Sequence, residues 1–301
     1  MVLHRWSDGI NSSKSSNNTD SDTPGSLTAA VVYMAEGSLI FSFNFTTILV
    51  FAVNAHLRRR SVYFVLSLAF SDMMSGAVVA IHGLTLTKFK FNHNKELLVN
   101  CTNTTDVLFF AGSLLGLQLI ALERMCAIVY PIRHRNLTNR AYSLAIAIQW
   151  GAAIVLTGIY VIRSPKLYFI VASIVLVVGL VTVATCYSII LITFKQQNRA
   201  HRQVTDTAQL KSQRRERRLA LTLFIVTALS LLTLTPTSVL LALYSVNEVT
   251  PLSTWIATGM RFLNSIGNPL VYVLRLNEFR HALFMLLFKC ARDRPIGVIR
   301  Q

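Results

Sequence analysis

Long apolar runs, each followed by a short polar and usually basic break, fill most of this 301-residue chain. A helix crossing the hydrocarbon layer needs about 20 apolar residues. Seven runs reach that length, near 27–55, 62–87, 98–129, 141–162, 167–194, 217–245 and 252–274. None alternates with period two, and each is longer than a tilted barrel strand, so the runs are expected to be helices. In lipid the backbone must satisfy its own hydrogen bonds, which overrides the weak helix propensity of the β-branched residues and glycines inside them. Apolar residues make up 53% of the chain and charged residues 14%, against about 25% charged in an ordinary soluble domain. The expected fold is an all-α membrane protein, a bundle of seven spans.

The segments outside the runs complete the organisation. Residues 1–26 are rich in Ser, Asn, Thr and Asp with no apolar core, and are expected to be a disordered tail, neither signal peptide nor folded unit. The seven-span domain then occupies 27–276. Over 277–290, Phe279, Leu283, Phe284, Leu286, Leu287 and Phe288 alternate with Arg280, His281 and Lys289, the pattern of an amphipathic helix on the membrane face. A short tail follows over 291–301.

Charge sets the expected orientation. The formal net charge is +16, which alone would suit nucleic acid or a membrane surface. Of the 29 Lys and Arg residues, 20 lie in the breaks after runs one, three and five and in the tail, including Arg58, Arg59 and Arg60 and the cluster from Arg214 to Arg218. Seven lie in the N-terminal segment and the other breaks. Basic residues collect on the cytoplasmic side, so the expectation is a multi-pass plasma-membrane protein with its N-terminus outside. The basic excess then meets anionic inner-leaflet lipid, and nucleic acid is not an expected partner. Glycosylation sequons at Asn11, Asn17, Asn100 and Asn103 fall on the outer side of this topology.

Enzymatic and metal chemistry find little footing. The four cysteines, Cys101, Cys126, Cys186 and Cys290, form no C-x-x-C pair, and no two histidines stand at i,i+4. No nucleophile, base and orienting group can be placed together, so an enzyme is not expected. A transporter using the intramembrane charges as an ion path is the different-class alternative, but no internal repeat with interrupted helices is visible.

Particular residues within the spans carry a more specific signal. They are Asn44 in span one, Leu68-Ala69-Phe70-Ser71-Asp72 in span two, Glu123-Arg124-Met125 at the inner end of span three, Trp150 in span four, Tyr187 in span five, Pro236 in span six, and Asn268-Pro269-Leu270-Val271-Tyr272 followed by Phe279. In this order and spacing, over about residues 30 to 290, the chain resembles the rhodopsin-like (class A) G-protein-coupled receptors. The resemblance implies a heterotrimeric G protein and an extracellular small ligand as partners. It implies that Ser113, Asn264, Ser265 and Asn268, with Asn44 nearby, gather around Asp72, a set that suits an allosteric sodium ion or a water-filled polar network. It also implies a latch in which Arg124 pairs with Glu123 and with Glu216, and a switch involving Tyr187, Pro236, Pro269 and Tyr272 as span six swings outward. Pro131 would dock the G protein, and Cys290 would be a palmitoylation site.

The sequence departs from the family in ways that bear on the ligand. The break after span four, Arg163-Ser164-Pro165-Lys166, holds no cysteine, so Cys101 has no outer-side partner; the short loop resembles the melanocortin, lysophospholipid and adenosine-type branch. Leu234 and Ser230 stand where the family has aromatics before Pro236, and Gly179 where span five has a proline. Phe262 occupies the position of the retinal lysine and span seven has no lysine, so no retinal and no other cofactor is expected. Asp106, 18 residues before Arg124, matches the carboxylate that holds ammonium ligands in amine receptors. Alternatively Arg261 on span seven neutralises Asp106, with Glu36 on span one as a further partner of Arg261. A free Arg261 would instead attract a lipid or small anionic ligand. His82 on span two is a lesser pocket candidate.

Overall fold

The structure, a computed structural model, describes residues 24–54, 57, 62–86, 95–162, 165–200, 229–230, 232–236, 239, 251–275 and 277–292. The described chain runs through α1 (Pro24–Val53), α2 (Val62–Leu86), α3 (Lys95–Val129), α4 (Pro131–Arg135), α5 (Asn139–Ile162), α6 (Pro165–Ala200), α7 (Pro251–Arg275) and α8 (Asn277–Arg292). No strand occurs among the described residues. α1, α2, α3, α5 and α6 are long and apolar enough to cross a membrane. α7 has the length at 25 residues but is more polar, carrying Arg261, Asn264 and Asn268. Of the sixth run only a helical turn over 232–236 and a few neighbours are described. The fold is an all-α membrane bundle.

Two local features differ from the sequence expectation. α1 begins at Pro24, inside the segment expected to be a disordered tail. The third break contains its own short helix, α4, with Pro131 in its first turn. Proline recurs at helix starts: α1, α4, α6 and α7 all begin with one. There its missing N–H is no loss and its fixed φ already suits the helix.

Outward faces show what surrounds the bundle. Leu144, Ile148, Val155 and Ile162 on α5 and Ile174, Val177, Val178 and Val181 on α6 are all exposed. Patches of this extent in water would aggregate; in lipid they are the solvent-facing surface. Hydroxyl residues on such faces bond their own helix instead of lipid. Ser42 donates to the Ser38 carbonyl (2.7 Å), Thr46 to Ser42 (2.7 Å), and Thr182, Thr185 and Ser188 to the carbonyls four residues back (2.8 Å each). Polar groups are thus tolerated in an apolar medium without a partner helix.

α1 and α2 are the most extensively packed pair, and α3 runs between α2, α5 and α6. Hydrocarbon offers no hydrophobic drive to pair helices, so close van der Waals approach must supply it. Gly37 and Gly76 provide that approach. A Cβ on Gly37 would strike the Ala80 backbone, and one on Gly76 would lie 2.7 Å from the Phe41 nitrogen and 2.8 Å from the Gly37 carbonyl. Neither neighbour is a flexible side chain that could yield. Gly76→Leu is therefore expected to cost about 3 kcal/mol or more, the top of the overpacking range, and to abolish the monodisperse detergent-solubilised fraction. Gly158→Leu, with nothing within 4 Å of its Cβ, should leave that fraction unchanged. Equal yields of the two variants would refute the seam.

Candidate functional site

Three polar levels lie inside the bundle. The first is nearest the Lys95 end of α3. There Arg261 of α7 forks onto Asp106 of α3, Nη1 donating to Oδ2 at 2.9 Å and Nη2 to Oδ1 at 2.7 Å. Ser75 of α2 donates to Asp106 Oδ1 (3.2 Å) and accepts from Arg261 Nη2 (3.4 Å). The guanidinium carbon lies 4.7 Å from the Phe110 ring centroid, a further contact suited to its flat face. Such two-pronged, charge-assisted bonding is the strongest pairing available to a carboxylate in a protein. Both oxygens of Asp106 are engaged.

A cavity of about 540 Å³, its open mouth included, lies against this pair between α1, α2, α3 and α7. Glu36, His82, Asn103 and Phe262 line it together with Asp106 and Arg261. Glu36 is half-buried and within Coulombic reach of Arg261, yet it makes no ion pair with a described residue. His82 is buried, edge-on to Tyr33 with centroids 5.8 Å apart, and its Nδ1 has no hydrogen-bond partner. Asn103 is also buried, and neither atom of its carboxamide has a partner. Asn103, read from the sequence as a sequon, is thus turned into the helix bundle. Asn100, one turn earlier on α3, is exposed; Asn11 and Asn17 lie outside the described residues.

The second level surrounds Asp72 on α2, which is 1% exposed. Ser113 of α3 donates to Oδ1 at 2.7 Å, Ser265 of α7 to the same oxygen at 3.4 Å, and Asn268 to Oδ2 at 3.0 Å. Asn264 is buried but does not bond Asp72; its carboxamide oxygen has no partner, like those of Asn44 and Asn268. Asn44 instead donates to the Ser265 carbonyl at 3.2 Å. That carbonyl lies four residues before Pro269, which has no N–H to give it. Asn44 thus replaces a bond that the proline removed.

Trp150 and Gln149 of α5 brace this level from the far side of α3. Trp150 Nε1 donates to Ser67 Oγ at 3.2 Å, and Gln149 Nε2 donates to the Gly112 carbonyl at 2.8 Å.

The third level closes the Val129 end of α3. Arg124 Nε lies against Glu123 Oε2 in an ion pair whose angle does not suit a hydrogen bond. The other oxygen, Oε1, is 2.8 Å from His134 Nε2 of α4, and that nitrogen is 3.1 Å from the Tyr142 hydroxyl of α5. Glu216, the second expected partner of Arg124, lies outside the described residues. Tyr187 of α6 and Tyr272 of α7 are buried, and the Tyr272 hydroxyl has no hydrogen-bond partner. Pro236 is half-buried, with Leu234 buried beside it, and Cys290 lies on the last turns of α8. Pro131 opens α4.

Sequence reasoning missed Ser75, Asn103, His134 and Gln149. Ser75 was within reach, since it lies three residues from Asp72 on the same helix face. His134 was not, because its position depends on the unexpected helix α4.

Comparison with known proteins fits this arrangement. The family described as 7 transmembrane receptor (rhodopsin family) matches residues 43–166, and the serpentine type 7TM GPCR chemoreceptor Srv family matches 165–250. Cannabinoid receptor 2 of Mus musculus is 27% identical over 281 residues, 85% of this chain and 80% of its own length. A GQ-coupled rhodopsin of Mizuhopecten yessoensis is 24% identical over 83% of this chain and 58% of its own. The human histamine H4 receptor is 31% identical over 40% of this chain and 31% of its own. With the motif residues placed at the three levels and two adjoining matches to seven-transmembrane receptor families, the chain is similar to the rhodopsin-like (class A) G-protein-coupled receptors over most of its length.

Proposed function

We propose that the protein passes the binding of an extracellular small ligand to a heterotrimeric G protein, with its N-terminus outside and Pro131, Arg124 and the basic loops facing the cytoplasm. The observation that carries this is the third level. Glu123 divides its carboxylate between Arg124 and His134, so one acidic group restrains both the arginine and the loop helix that would meet the G protein. A shared, buried carboxylate is a two-state element: freeing either partner biases the same equilibrium. Tyr187 and the unpaired hydroxyl of Tyr272 are the groups that would receive Arg124 when it is released. Glu123→Gln removes the charge at constant shape and shifts the balance by about 1–2 kcal/mol, roughly a 5- to 30-fold change in population. Ligand-free guanine-nucleotide exchange on purified Gα should rise accordingly across a panel of Gα classes. Basal exchange at the wild-type level for every class would reject the receptor mechanism, and a transporter would give the same null result.

The ligand enters the cavity beside Asp106 and Arg261. Two carboxylates face one guanidinium there, an excess of negative charge that supports a small amine; the histamine H4 and alpha-1A adrenergic receptors among the relatives agree with it. A lipid or small anion held through Arg261 is the second reading, supported by the cannabinoid receptor that aligns over most of the chain. A ligand screen on Asp106→Ala and Arg261→Ala separates them. Loss of cationic hits with Asp106→Ala or their survival with Arg261→Ala fits the amine, whereas hits that are anionic and vanish only with Arg261→Ala fit the lipid. A retinal chromophore has no lysine on α7 to attach to, and Phe262 lines the cavity in its place.

Asp72 supports an allosteric sodium site. A buried carboxylate with no ion pair to a described residue, with the hydroxyls of Ser113 and Ser265 beside it and the unpaired carboxamide oxygens of Asn44, Asn264 and Asn268 nearby, is a set of hard oxygen donors that fits a small monovalent cation. Bound there, the ion would supply the positive charge that Asp72 lacks. Sodium at about ten times its dissociation constant would stabilise the receptor by roughly 1.4 kcal/mol. Purified protein should then melt a few degrees higher in sodium chloride than in choline chloride, and Asp72→Asn should remove the difference. A difference that persists in Asp72→Asn would place the ion elsewhere.

A further inference from the structure

We infer that Glu36, with His82 and Asn103, forms the subsite that receives the cationic group of the ligand, and that Asp106 stays bonded to Arg261 while it does so. The inference rests on the ligand reading above only in taking this cavity as the binding site.

The argument starts from what Asp106 still has to offer. Its two oxygens already accept three bonds, two from the Arg261 fork and one from Ser75. An incoming ammonium would have to displace a guanidinium from bidentate pairing and leave that charge without its carboxylate. Breaking such a pair by taking one partner is strongly unfavourable, because the other charge remains buried. Glu36 imposes no such cost. It faces the same cavity from α1 and makes no ion pair with a described residue.

Independent support comes from two polar side chains that the fold leaves unsatisfied. His82 is 4% exposed and Asn103 5% exposed, both line the cavity, and Nδ1 of the one and both carboxamide atoms of the other lack any hydrogen-bond partner. A buried polar group without a partner costs about 1–3 kcal/mol, so native proteins rarely keep one without a reason. Here three such atoms belong to two residues that line one cavity, beside a carboxylate that makes no ion pair with a described residue. A ligand with an ammonium or amidinium for Glu36 and a neighbouring hydrogen-bonding group for Asn103 and His82 satisfies them together. Monocations that also carry an amide, hydroxyl or heteroaromatic nitrogen have this chemistry.

The test requires no knowledge of the natural ligand and no G protein. Full-length receptor carrying Cys101→Ser and Val79→Cys, the latter on the cavity wall, is treated with 2-aminoethyl methanethiosulfonate or with the anionic 2-sulfonatoethyl reagent. The thiolate displaces methanesulfinate to give a mixed disulfide, and the rate is read by mass spectrometry against the Cys101→Ser parent. The cationic reagent should react faster, and Glu36→Gln should reduce that preference about tenfold. The double variant Asp106→Asn, Arg261→Gln, which removes the pair without changing the net charge, should change it much less. A preference that survives Glu36→Gln, one that vanishes only with the double Asp106→Asn, Arg261→Gln variant, or no reaction at Val79→Cys would each overturn the assignment. Since the readout is independent of nucleotide exchange, failure of the subsite and failure of the receptor mechanism are told apart.

Discussion

Charge inside hydrocarbon has to be answered within the bundle, and the arrangement of this protein follows from how each answer is made. Beyond the two arginines that open the sixth run, six carboxylate and guanidinium groups lie in the spans as read from the sequence: Glu36, Asp72, Asp106, Glu123, Arg124 and Arg261. Leaving a single one unanswered at mid-membrane costs about 2.5–3.5 kcal/mol on insertion scales. Arg261 answers Asp106 across two helices, Arg124 and His134 answer Glu123, and hydroxyl and amide groups answer Asp72. Each solution ties two or more helices together at a fixed depth. The apolar residues bring the spans into lipid, but these polar contacts set their register.

Glycine and proline make the contacts possible. Gly37 and Gly76 let α1 and α2 approach to backbone distance, which keeps Glu36 and His82 on one cavity wall. Gly112 works similarly between α2 and α5: a Cβ there would lie 3.0 Å from Ser71 Oγ and 3.3 Å from the Trp150 ring. Pro269 frees the Ser265 carbonyl, and Asn44 takes it up. A backbone weakness in α7 thereby becomes a bond to α1.

The spans were legible in the sequence because hydrocarbon thickness imposes a length that no loop imitates, and the ends of α2 and α7 agree with the apolar runs to within about a residue. Asp72 with Ser113, Ser265 and Asn268 was legible through spacing along known motifs. Asn264 was not: it is one residue out of phase with Ser265, so it turns away from the carboxylate that Ser265 reaches. Asn103 matched a sequon by local pattern while its burial depends on helices far away in sequence. His134 depended on α4, five residues long, which leaves no hydrophobic period to read. The choice at Asp106 between a ligand and Arg261 is a matter of side-chain geometry across 155 residues of separation, and only the folded arrangement shows the fork.

α7 connects the first two levels in a way that neither shows alone. Arg261, Ser265 and Asn268 are spaced four and three residues apart, so they share one face of the helix, and they bond Asp106 and Asp72 respectively. Tyr272, four residues further on, extends the same stripe toward the buried tyrosine of α6. A rotation or axial shift of α7 therefore cannot alter the Arg261 fork without also moving the groups that hold Asp72. With Leu234 and Ser230 in place of aromatic residues before Pro236, the sixth span lacks at those positions the bulky side chains that the family places there to sense the ligand. The polar stripe of α7 is helical, charged at the cavity end and missing one backbone bond at Pro269, where Asn44 takes its place, and it links Arg261 at the cavity to the groups that hold Asp72 without any such aromatic.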